Sequence, residues 1–266
     1  MTWAEQLAAY LGSRLPAADA VAVERVIPMN RGASNETVGL DLAVTCEGRV
    51  STLPLVLRPQ RASGVLAPYD VERQFQVMRC LGRSEVPVPP VAWFEPDASI
   101  LGAPFYLMGR LEGRSLPLFT YGGPSPELAA VAAALAGVHA VDWRALGLNL
   151  LLPAGTDRDA PPAPIACDLD QWRRRAEHSG IGSRPELIAL AHFLREAQPP
   201  DARHALIHGD PNPGNYLIRD GRVAGVLDWE LTAIGDPRAD LGFYAALLTL
   251  FAGAPPNTGR TELAEA

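Results

Sequence analysis

The hydrophobic pattern of the chain changes character around Leu111-Glu112-Gly113. Before this point short β-branched and apolar runs dominate, which is typical of strands, and after it long Ala/Leu/Val stretches have helical spacing. The chain has 266 residues, which fits one or two domains at a usual size of roughly 100–200 residues each. The change predicts an α+β fold with two lobes, a mainly β N-terminal lobe over residues 1–108 and a mainly α C-terminal lobe over 109–266.

The N-terminal lobe is predicted to hold strands on both sides of a helix. Residues 70–82 carry apolar side chains at i, i+4, i+7 and i+10 counted from Val71, and the segment ends at Gly82, a helix stop signal. A second helix is expected at 3–15. The predicted strands are 21–27, 37–45, 50–58, 91–94 and 104–108.

The C-terminal lobe is predicted to be helical, with a few short strands near its end. The expected helices are 125–141, 168–178, 185–197 and 239–251, and the expected strands are 205–207, 216–219 and 223–227. The segment 153–167 is rich in Pro, Gly and Asp and is expected to be a loop.

Composition excludes several kinds of site and partner. All 23 basic side chains are arginine, so neither a lysine Schiff base nor a phosphate loop ending in Gly-Lys-Ser/Thr can form. With 30 acidic residues the formal net charge is −7, which predicts no binding of nucleic acid or of an anionic membrane. Cys46, Cys80 and Cys167 suggest neither a disulfide framework nor a zinc knuckle and are expected to be buried thiols.

The N-terminal sequence has no basic stretch followed by an apolar core, and the longest apolar run, 243–254, is shorter than a membrane span of about 18 residues. A cytoplasmic protein is therefore expected.

Three polar side chains are placed at strand ends between residues 205 and 228. Asp210 and Asn215 follow the strand 205–207, and Asp228 ends the second strand of a hairpin. Each has oxygen ligands, which suit Mg²⁺ and not zinc, and Mg²⁺ needs few protein ligands because waters and substrate phosphates complete its shell. Asp210 or Asn215 alone could be a turn residue beside Pro and Gly. The complete pattern favours a phosphoryl-transfer site.

The same block carries a family resemblance. The matching segments are His208-Gly209-Asp210 with Asn215, Leu227-Asp228-Trp229, Gly235-Asp236-Pro237 and Asp240-Leu241. In these motifs the chain resembles the aminoglycoside phosphotransferase and choline kinase-like family, relatives of the protein kinases. The resemblance implies a protein kinase-like fold that uses ATP and Mg²⁺.

The resemblance also implies roles by position. Asp210 would accept the proton of a substrate hydroxyl or orient it, and Asn215 and Asp228 would hold Mg²⁺ on the nucleotide phosphates. His208 would brace the loop. Asp240 would accept backbone N–H groups of that loop or cap the helix in which it lies.

The resemblance also implies that two further segments contact the nucleotide. Ser34 and Asn35 lie in the turn that would cover the phosphates, and the segment 108–111, beginning at Met108, would supply backbone groups to adenine.

The chain departs from the family at the pair of residues that binds the nucleotide phosphates. Arg58 stands where the family has a lysine, and Gln74 stands where it has the glutamate that orients the lysine. Arginine keeps a permanent charge and a planar fork of donors that suits phosphate. The segments VLRP at 56–59 and DVER at 70–73 resemble the branch of the family that is fused to acyl-CoA dehydrogenases.

The sequence therefore predicts an ATP-dependent phosphotransferase acting on a hydroxyl of a small molecule, either aminoglycoside-like or of a hydroxyacyl type. The alternative from another class is a nucleotide-binding pseudokinase or scaffold without turnover. A protein kinase is disfavoured because no recognisable activation segment follows Asp228. The family continues for several helices after its Asp-Leu motif, so a chain ending at Ala266 is either naturally short or truncated. ATP versus GTP and the oligomeric state stay open.

Overall fold

The computed structural model describes residues 2–29, 37–64, 67–117 and 125–250. It begins with helix α1 (Trp3–Arg14), whose start is fixed by a capping box. Glu5 donates its backbone N–H to the Thr2 hydroxyl oxygen at 3.3 Å, and the Glu5 carboxylate accepts from the Thr2 backbone at 2.8 Å. A β-sheet lobe and then a helical lobe follow, so the predicted fold class is confirmed.

Five antiparallel strands form the sheet of the first lobe. They are β1 (Ala20–Pro28), β2 (Val38–Cys46), β3 (Arg49–Pro59), β4 (Val91–Glu95) and β5 (Phe105–Gly109), in the spatial order β1-β2-β3-β5-β4. The tight turn between β2 and β3 is made by Glu47 and Gly48, which have positive φ angles of 48° and 71°. Positive φ at both central residues is the requirement of a two-residue hairpin turn.

Side chains alternate between the two faces of the sheet along each strand, and the two faces pack against different parts of the molecule. One face of β3 and β5 packs in the cluster that contains α1, through Leu55, Leu57, Phe105 and Leu107. The register pairs Val56 with Met108 and Arg58 with Tyr106, so these four residues share the opposite face. That face borders the candidate site.

Helix α2 (Val71–Leu81) lies against this second face. Asp70 caps it by accepting from the Arg73 backbone at 2.8 Å, and it ends at Gly82 as predicted. Its buried side includes Val71, Gln74, Phe75 and Met78, at the spacing of one helix face. Gln74 is therefore a buried polar side chain, only 1% exposed.

In its described residues, the second lobe contains four α-helices and two small sheets. The helices are α3 (Pro126–His139), α4 (Pro164–His178), α5 (Pro185–Glu196) and α6 (Arg238–Leu250). The strands are β6 (Arg114–Ser115), β7 (Ala205–Ile207), β8 (Tyr216–Arg219), β9 (Arg222–Val226) and β10 (Ala233–Gly235). They form the sheets β6-β8-β9 and β10-β7. One hydrophobic cluster continues from Val56 and Phe75 to Val138 and Trp229, and so spans both lobes.

Two expectations from the sequence are corrected, and two short strands are added. Helix α4 begins at Pro164, inside the segment 153–167 that was expected to be a loop, because proline suits the first turn of a helix. The strands β6 and β10 have two and three residues, too few for an alternating pattern to be seen. Cys46 is exposed, whereas Cys80 and Cys167 are buried as expected.

Among the described residues, none of the helices combines the length and the apolar character that crossing a membrane requires.

Candidate active site

The loop 208–215 follows β7 and makes a turn that only glycine permits. Gly209 has a φ of +85°, and a Cβ atom there would lie 2.1 Å from the backbone oxygen of Leu231. Any side chain would therefore clash with the backbone as well as strain the turn. Gly209 brings the loop into contact with the segment that follows Asp228.

The Asp240 carboxylate accepts hydrogen bonds from the backbone of this loop. Its two carboxylate oxygens accept the backbone N–H groups of His208 at 2.9 Å and Gly209 at 2.8 Å. The Nε2 atom of His139, at the end of α3, lies 2.7 Å from the same carboxylate. The expected bracing contact of Asp240 is present, and it ties the loop to both α3 and α6.

Asp240→Asn is expected to lower the free energy of unfolding by about 2–3 kcal/mol, because one carboxylate oxygen becomes an NH₂ group that faces a buried donor. The measurement is urea unfolding followed by circular dichroism. Asp201→Asn is the matched control, since Asp201 is 79% exposed and, among the described residues, forms an ion pair with Arg238 alone. Such exposed pairs contribute about 0–1 kcal/mol. Equal stability of the two variants would contradict the bracing role.

His208 is buried behind the loop. Its Nε2 atom lies 2.9 Å from the backbone oxygen of Leu227, and its ring is 4.8 Å from that of Trp229. The bracing role expected of His208 agrees with these contacts, which join the loop to the strand end that carries Asp228.

Asn215 connects the loop to the catalytic carboxylate predicted at Asp210. Its amide nitrogen donates to the Asp210 backbone oxygen and to the Asp210 carboxylate, both at 2.9 Å. This orientation turns the amide oxygen of Asn215 away from Asp210. Within the described ranges, that oxygen accepts no hydrogen bond and is available as a ligand.

Asp228 has an unusual backbone conformation. It lies after β9 with φ 65° and ψ 61°, in the left-handed region, which costs about 1–2 kcal/mol for a residue other than glycine. The turn is held on both sides, because Leu227 donates its backbone N–H to Asn215 at 2.8 Å and the buried Trp229 indole donates to Val226 at 3.1 Å. The conformation is therefore maintained by its neighbours.

Arg58 reaches Asp228 across the cleft between the lobes. A terminal guanidinium nitrogen lies 3.3 Å from the Asp228 carboxylate, and the two side chains are 11% and 13% exposed. Arg58 also donates to the Thr37 hydroxyl at 3.2 Å. Burial by itself would lower the pKa of Arg58, but the Tyr106 hydroxyl and the Asp228 carboxylate outweigh it and hold that pKa above its ordinary value.

Gln74 contacts Arg58 in place of an ion pair. Its amide oxygen accepts from Arg58 and from the Tyr106 hydroxyl, each at 3.4 Å. Burial raises the pKa of Tyr106 to about 12, so the hydroxyl stays neutral and able to donate. The Gln74 amide nitrogen and the Arg58 Nε are buried without a partner in the described part of the chain. A hydrogen bond from the Arg58 guanidinium to the Gln74 amide thus stands where the family has an ion pair, and further N–H groups of Arg58 stay available to a ligand.

A cavity of about 440 Å³ lies at this point. Its apolar walls include Ile27, Val56, Met78, Met108, Leu217 and Leu227, and its polar side carries Thr37, Arg58, Asn215 and Asp228. An apolar cleft with a few convergent polar groups is the usual form of a small-molecule site.

The predicted site residues are placed as follows. Arg58, Met108, Asn215 and Asp228 line the cavity together. Gln74 lies behind Arg58, and Asp210 is hydrogen-bonded to Asn215 without lining the cavity itself. Ser34 and Asn35 lie outside the described residues.

The segment 108–111 has one backbone donor to offer. The N–H of Gly109 donates to Pro90 at 2.8 Å and that of Arg110 to Pro54 at 3.1 Å. The N–H of Leu111, which lines the cavity, has no acceptor among the described residues. Among the N–H groups of Gly109, Arg110 and Leu111, that of Leu111 is the one left to donate to a ligand, and the contact of segment 108–111 with adenine stays a prediction.

Sequence reasoning missed Thr37 and Tyr106. Tyr106 could have been found, because it lies two positions before Met108 on the same strand face. Thr37 carried no signal, since its role depends on the position of Arg58 across the sheet.

The donor set fits a magnesium ion. Asn215 and Asp228 bring amide and carboxylate oxygens to the same cavity, and oxygen ligands in small number are what Mg²⁺ takes from proteins. The described residues contain no cluster of three or more His, Cys, Asp or Glu side chains placed to hold a metal. Water and phosphate oxygens would have to complete the coordination.

Comparison with known proteins agrees with this geometry. The profile of the phosphotransferase enzyme family matches residues 25–264. Acyl-CoA dehydrogenase family member 10 of Mus musculus is 34% identical over 204 residues, which are 73% of this chain and 18% of that protein. The chain thus spans less than a fifth of this relative, and the similarity confirms the predicted resemblance to the dehydrogenase-linked branch.

Solved structures have the same fold. One from Ralstonia eutropha, assigned provisionally as an aminoglycoside phosphotransferase, has a TM-score of 0.63 at 26% identity, over 94% of this chain and 70% of that chain. A thermostable mutant of an aminoglycoside phosphotransferase, in ternary complex with AMP-PNP and hygromycin B, has a TM-score of 0.56 at 17% identity, over 98% and 85% of the two chains. The protein kinase-like arrangement of a β-sheet lobe and a helical lobe is shared.

Proposed function

Because the chain belongs to the phosphotransferase enzyme family, we propose that it transfers the γ-phosphoryl group of Mg²⁺·ATP to a hydroxyl group of a small molecule. The observation that carries this proposal is the convergence of Arg58, Asn215 and Asp228 on one cavity. Asp210 lies next to them through its hydrogen bond with Asn215. These are the parts that phosphoryl transfer needs, since its catalysis consists of positioning and charge stabilisation.

Each residue has a task in this reaction. Asn215 and Asp228 hold Mg²⁺, which supplies positive charge against the developing negative charge on the phosphoryl oxygens. Arg58 binds phosphate oxygens with its permanently charged fork of donors. The apolar walls of the cavity, together with the Leu111 N–H, bind the adenine base of ATP.

Asp210 acts on the acceptor. Its carboxylate accepts the proton of the substrate hydroxyl, or orients that hydroxyl for attack. The hydrogen bond from the Asn215 amide nitrogen at 2.9 Å fixes the carboxylate for this task. The acceptor itself is either aminoglycoside-like or of a hydroxyacyl type.

One observation favours a second candidate, a nucleotide-binding protein without turnover. The ion pair of Arg58 with Asp228 at 3.3 Å engages one of the two Asp228 carboxylate oxygens and so competes with a metal for this side chain. Gln74 cannot draw the guanidinium away as a carboxylate would. If nucleotide does not break this pair, the site binds without transferring phosphate.

The experiment is a calorimetric titration of the chain with ATP, with and without Mg²⁺, followed by a screen of hydroxyl acceptors with γ-labelled ATP. Tighter binding with Mg²⁺ together with a labelled acceptor supports phosphoryl transfer. Mg²⁺-dependent binding without label in any acceptor supports the second candidate. Absence of binding at millimolar ATP contradicts both.

A further inference from the structure

A second cavity, of about 770 Å³, lies beside the start of α2 and shares no lining residue with the first. The loop 149–156 and helix α4 form its other walls. We call it the arginine cavity, because Arg73, Arg174 and Arg175 line it. Two acidic residues, Asp70 and Glu230, line it as well, so its wall is more basic than a chain of net charge −7 would suggest.

Two of these arginines form no direct ion pair with a carboxylate in the described residues, although Asp70 and Glu230 lie in the same cavity wall. Arg73 donates to the backbone oxygens of Glu230 and Thr232, and Arg175 donates to the backbone oxygen of Glu230 at 3.0 Å and to the side-chain oxygen of Gln171 at 3.3 Å. All of these acceptors are neutral. In the portion of the chain that the structure describes, neither Arg73 nor Arg175 takes part in an ion pair.

Arg174 differs from its neighbours in this respect. Its guanidinium lies 2.5 Å from the Asp170 carboxylate and its side chain is 48% exposed. It adds positive charge at the edge of the arginine cavity, while Arg73 and Arg175 form the interior.

Keeping the positively charged Arg73 and Arg175 side chains close together raises the free energy of the folded chain. Burial, with the nearby Arg175, lowers the pKa of Arg73 to about 10, and burial lowers the pKa of Arg175 as well, although Glu230 acts in the opposite direction. The Nε of Arg175 is buried and has no hydrogen-bond partner in the described residues. A buried donor without an acceptor, and two partly buried like charges close together without a direct ion pair, both raise the free energy of the fold.

We propose that the arginine cavity is an oxyanion-binding site, in which the guanidinium groups of Arg73 and Arg175 bind a carboxylate or phosphate group of a small molecule. Such a group would bring negative charge to both guanidinium groups and accept from their N–H groups at the cavity wall. Planar guanidinium groups bind both kinds of oxyanion with paired hydrogen bonds, which a lysine could not do.

The arginine cavity shares no lining residue with the nucleotide cavity. It lies close to the segment that follows Asp228. Both arginines contact the backbone of Glu230, two residues after Asp228. The site is therefore expected to bind its oxyanion in the absence of nucleotide.

The test is a titration of the ¹⁵N-labelled chain with inorganic phosphate and, separately, with malonate, followed through the Nε–Hε signals of the arginines. The Arg175 signal, identified by its loss in Arg175→Gln, is expected to shift and saturate. Arg58 has its own signal, so phosphate entering the first cavity is distinguished from phosphate at Arg175. The anion that saturates the Arg175 signal at the lower concentration shows whether the site prefers phosphate or carboxylate.

Arg175→Gln is expected to weaken binding of the preferred anion about tenfold or more, since a charge-assisted hydrogen bond and one buried charge are lost. Arg173→Gln is the matched control, because Arg173 is 52% exposed, outside the cavity lining and paired with Asp170 and Glu177. Its affinity for the anion is expected to stay at the wild-type value.

An unshifted Arg175 signal at tens of millimolar of both anions would overturn the proposal, as would equal losses in the two variants. If Arg175→Gln does not fold, anomalous scattering from tungstate soaked into crystals of the wild-type chain gives the answer, and absence of tungstate from the cavity refutes the site. Phosphate or malonate binding at Arg175 without ATP binding would leave the oxyanion site standing while the phosphotransferase proposal fails.

Discussion

Asp210→Asn is expected to slow phosphoryl transfer by a factor of about 10²–10⁴ with little change in the affinity for Mg²⁺·ATP. The substitution removes the group that accepts or orients the hydroxyl proton. Asparagine retains a side-chain oxygen that can accept from the Asn215 amide nitrogen, as Asp210 does at 2.9 Å. Because Asp210 does not line the nucleotide cavity, binding of nucleotide should survive.

The measurement is the initial rate with the acceptor found in the screen, together with calorimetry on the same preparation. Asp220→Asn is the control, since Asp220 is in an exposed turn and 92% exposed. If Asp210→Asn keeps most of the wild-type rate, another group accepts or orients the proton of the substrate hydroxyl. Loss of nucleotide affinity in the same variant would instead place Asp210 in the metal site.

Asp228→Asn is expected to remove the strengthening of ATP binding by Mg²⁺, with a loss of at least about 100-fold, the upper end of what removing a mere outer-shell partner of a metal costs. Asparagine tolerates the left-handed backbone found at position 228, with φ 65°. It can also still accept from Arg58. The fold is therefore largely retained and the change falls on the negative charge that binds the metal.

Calorimetry with and without Mg²⁺ separates the two contributions, and urea unfolding shows whether Arg58, deprived of its charged partner, lowers stability. Asp236→Asn makes an informative comparison, since Asp236 pairs with Arg238 at 2.7 Å and lines neither cavity. If Asp228→Asn retains metal-dependent binding, Mg²⁺ is held elsewhere and the assignment of the metal ligands is wrong.

The parts that could be predicted from sequence depend on local pattern. Helix α2 has strong amphipathic spacing and a stop at Gly82, and the loop 208–215 carries a polar motif between short strands, so both were found. The positions of Arg58 and Gln74 were found through family resemblance, which placed them in one clamp. Their contact at 3.4 Å agrees with that placement.

The parts that could not be predicted depend on long-range geometry. The arginine cavity joins Arg73 on α2 to Arg175 on α4, and no local spacing relates those residues. The left-handed turn at Asp228 could not be predicted either. Aspartate adopts this region more often than most residues, but the residue type does not say which aspartate does so, and the contacts with the loop 208–215 come from another part of the chain. Strands of two or three residues, such as β6 and β10, contain too little alternation to be recognised.

The arginine at position 58 has a consequence for chemical detection. Nucleotide analogues that carry an acyl phosphate label a protein by transferring the acyl group to an amine beside the phosphates. None of the 266 residues is a lysine, and the guanidinium of Arg58 stays protonated and does not attack. Surveys that identify nucleotide-binding proteins by such labelling will therefore overlook this chain even when its cavity is filled, and direct binding measurements are needed to see it.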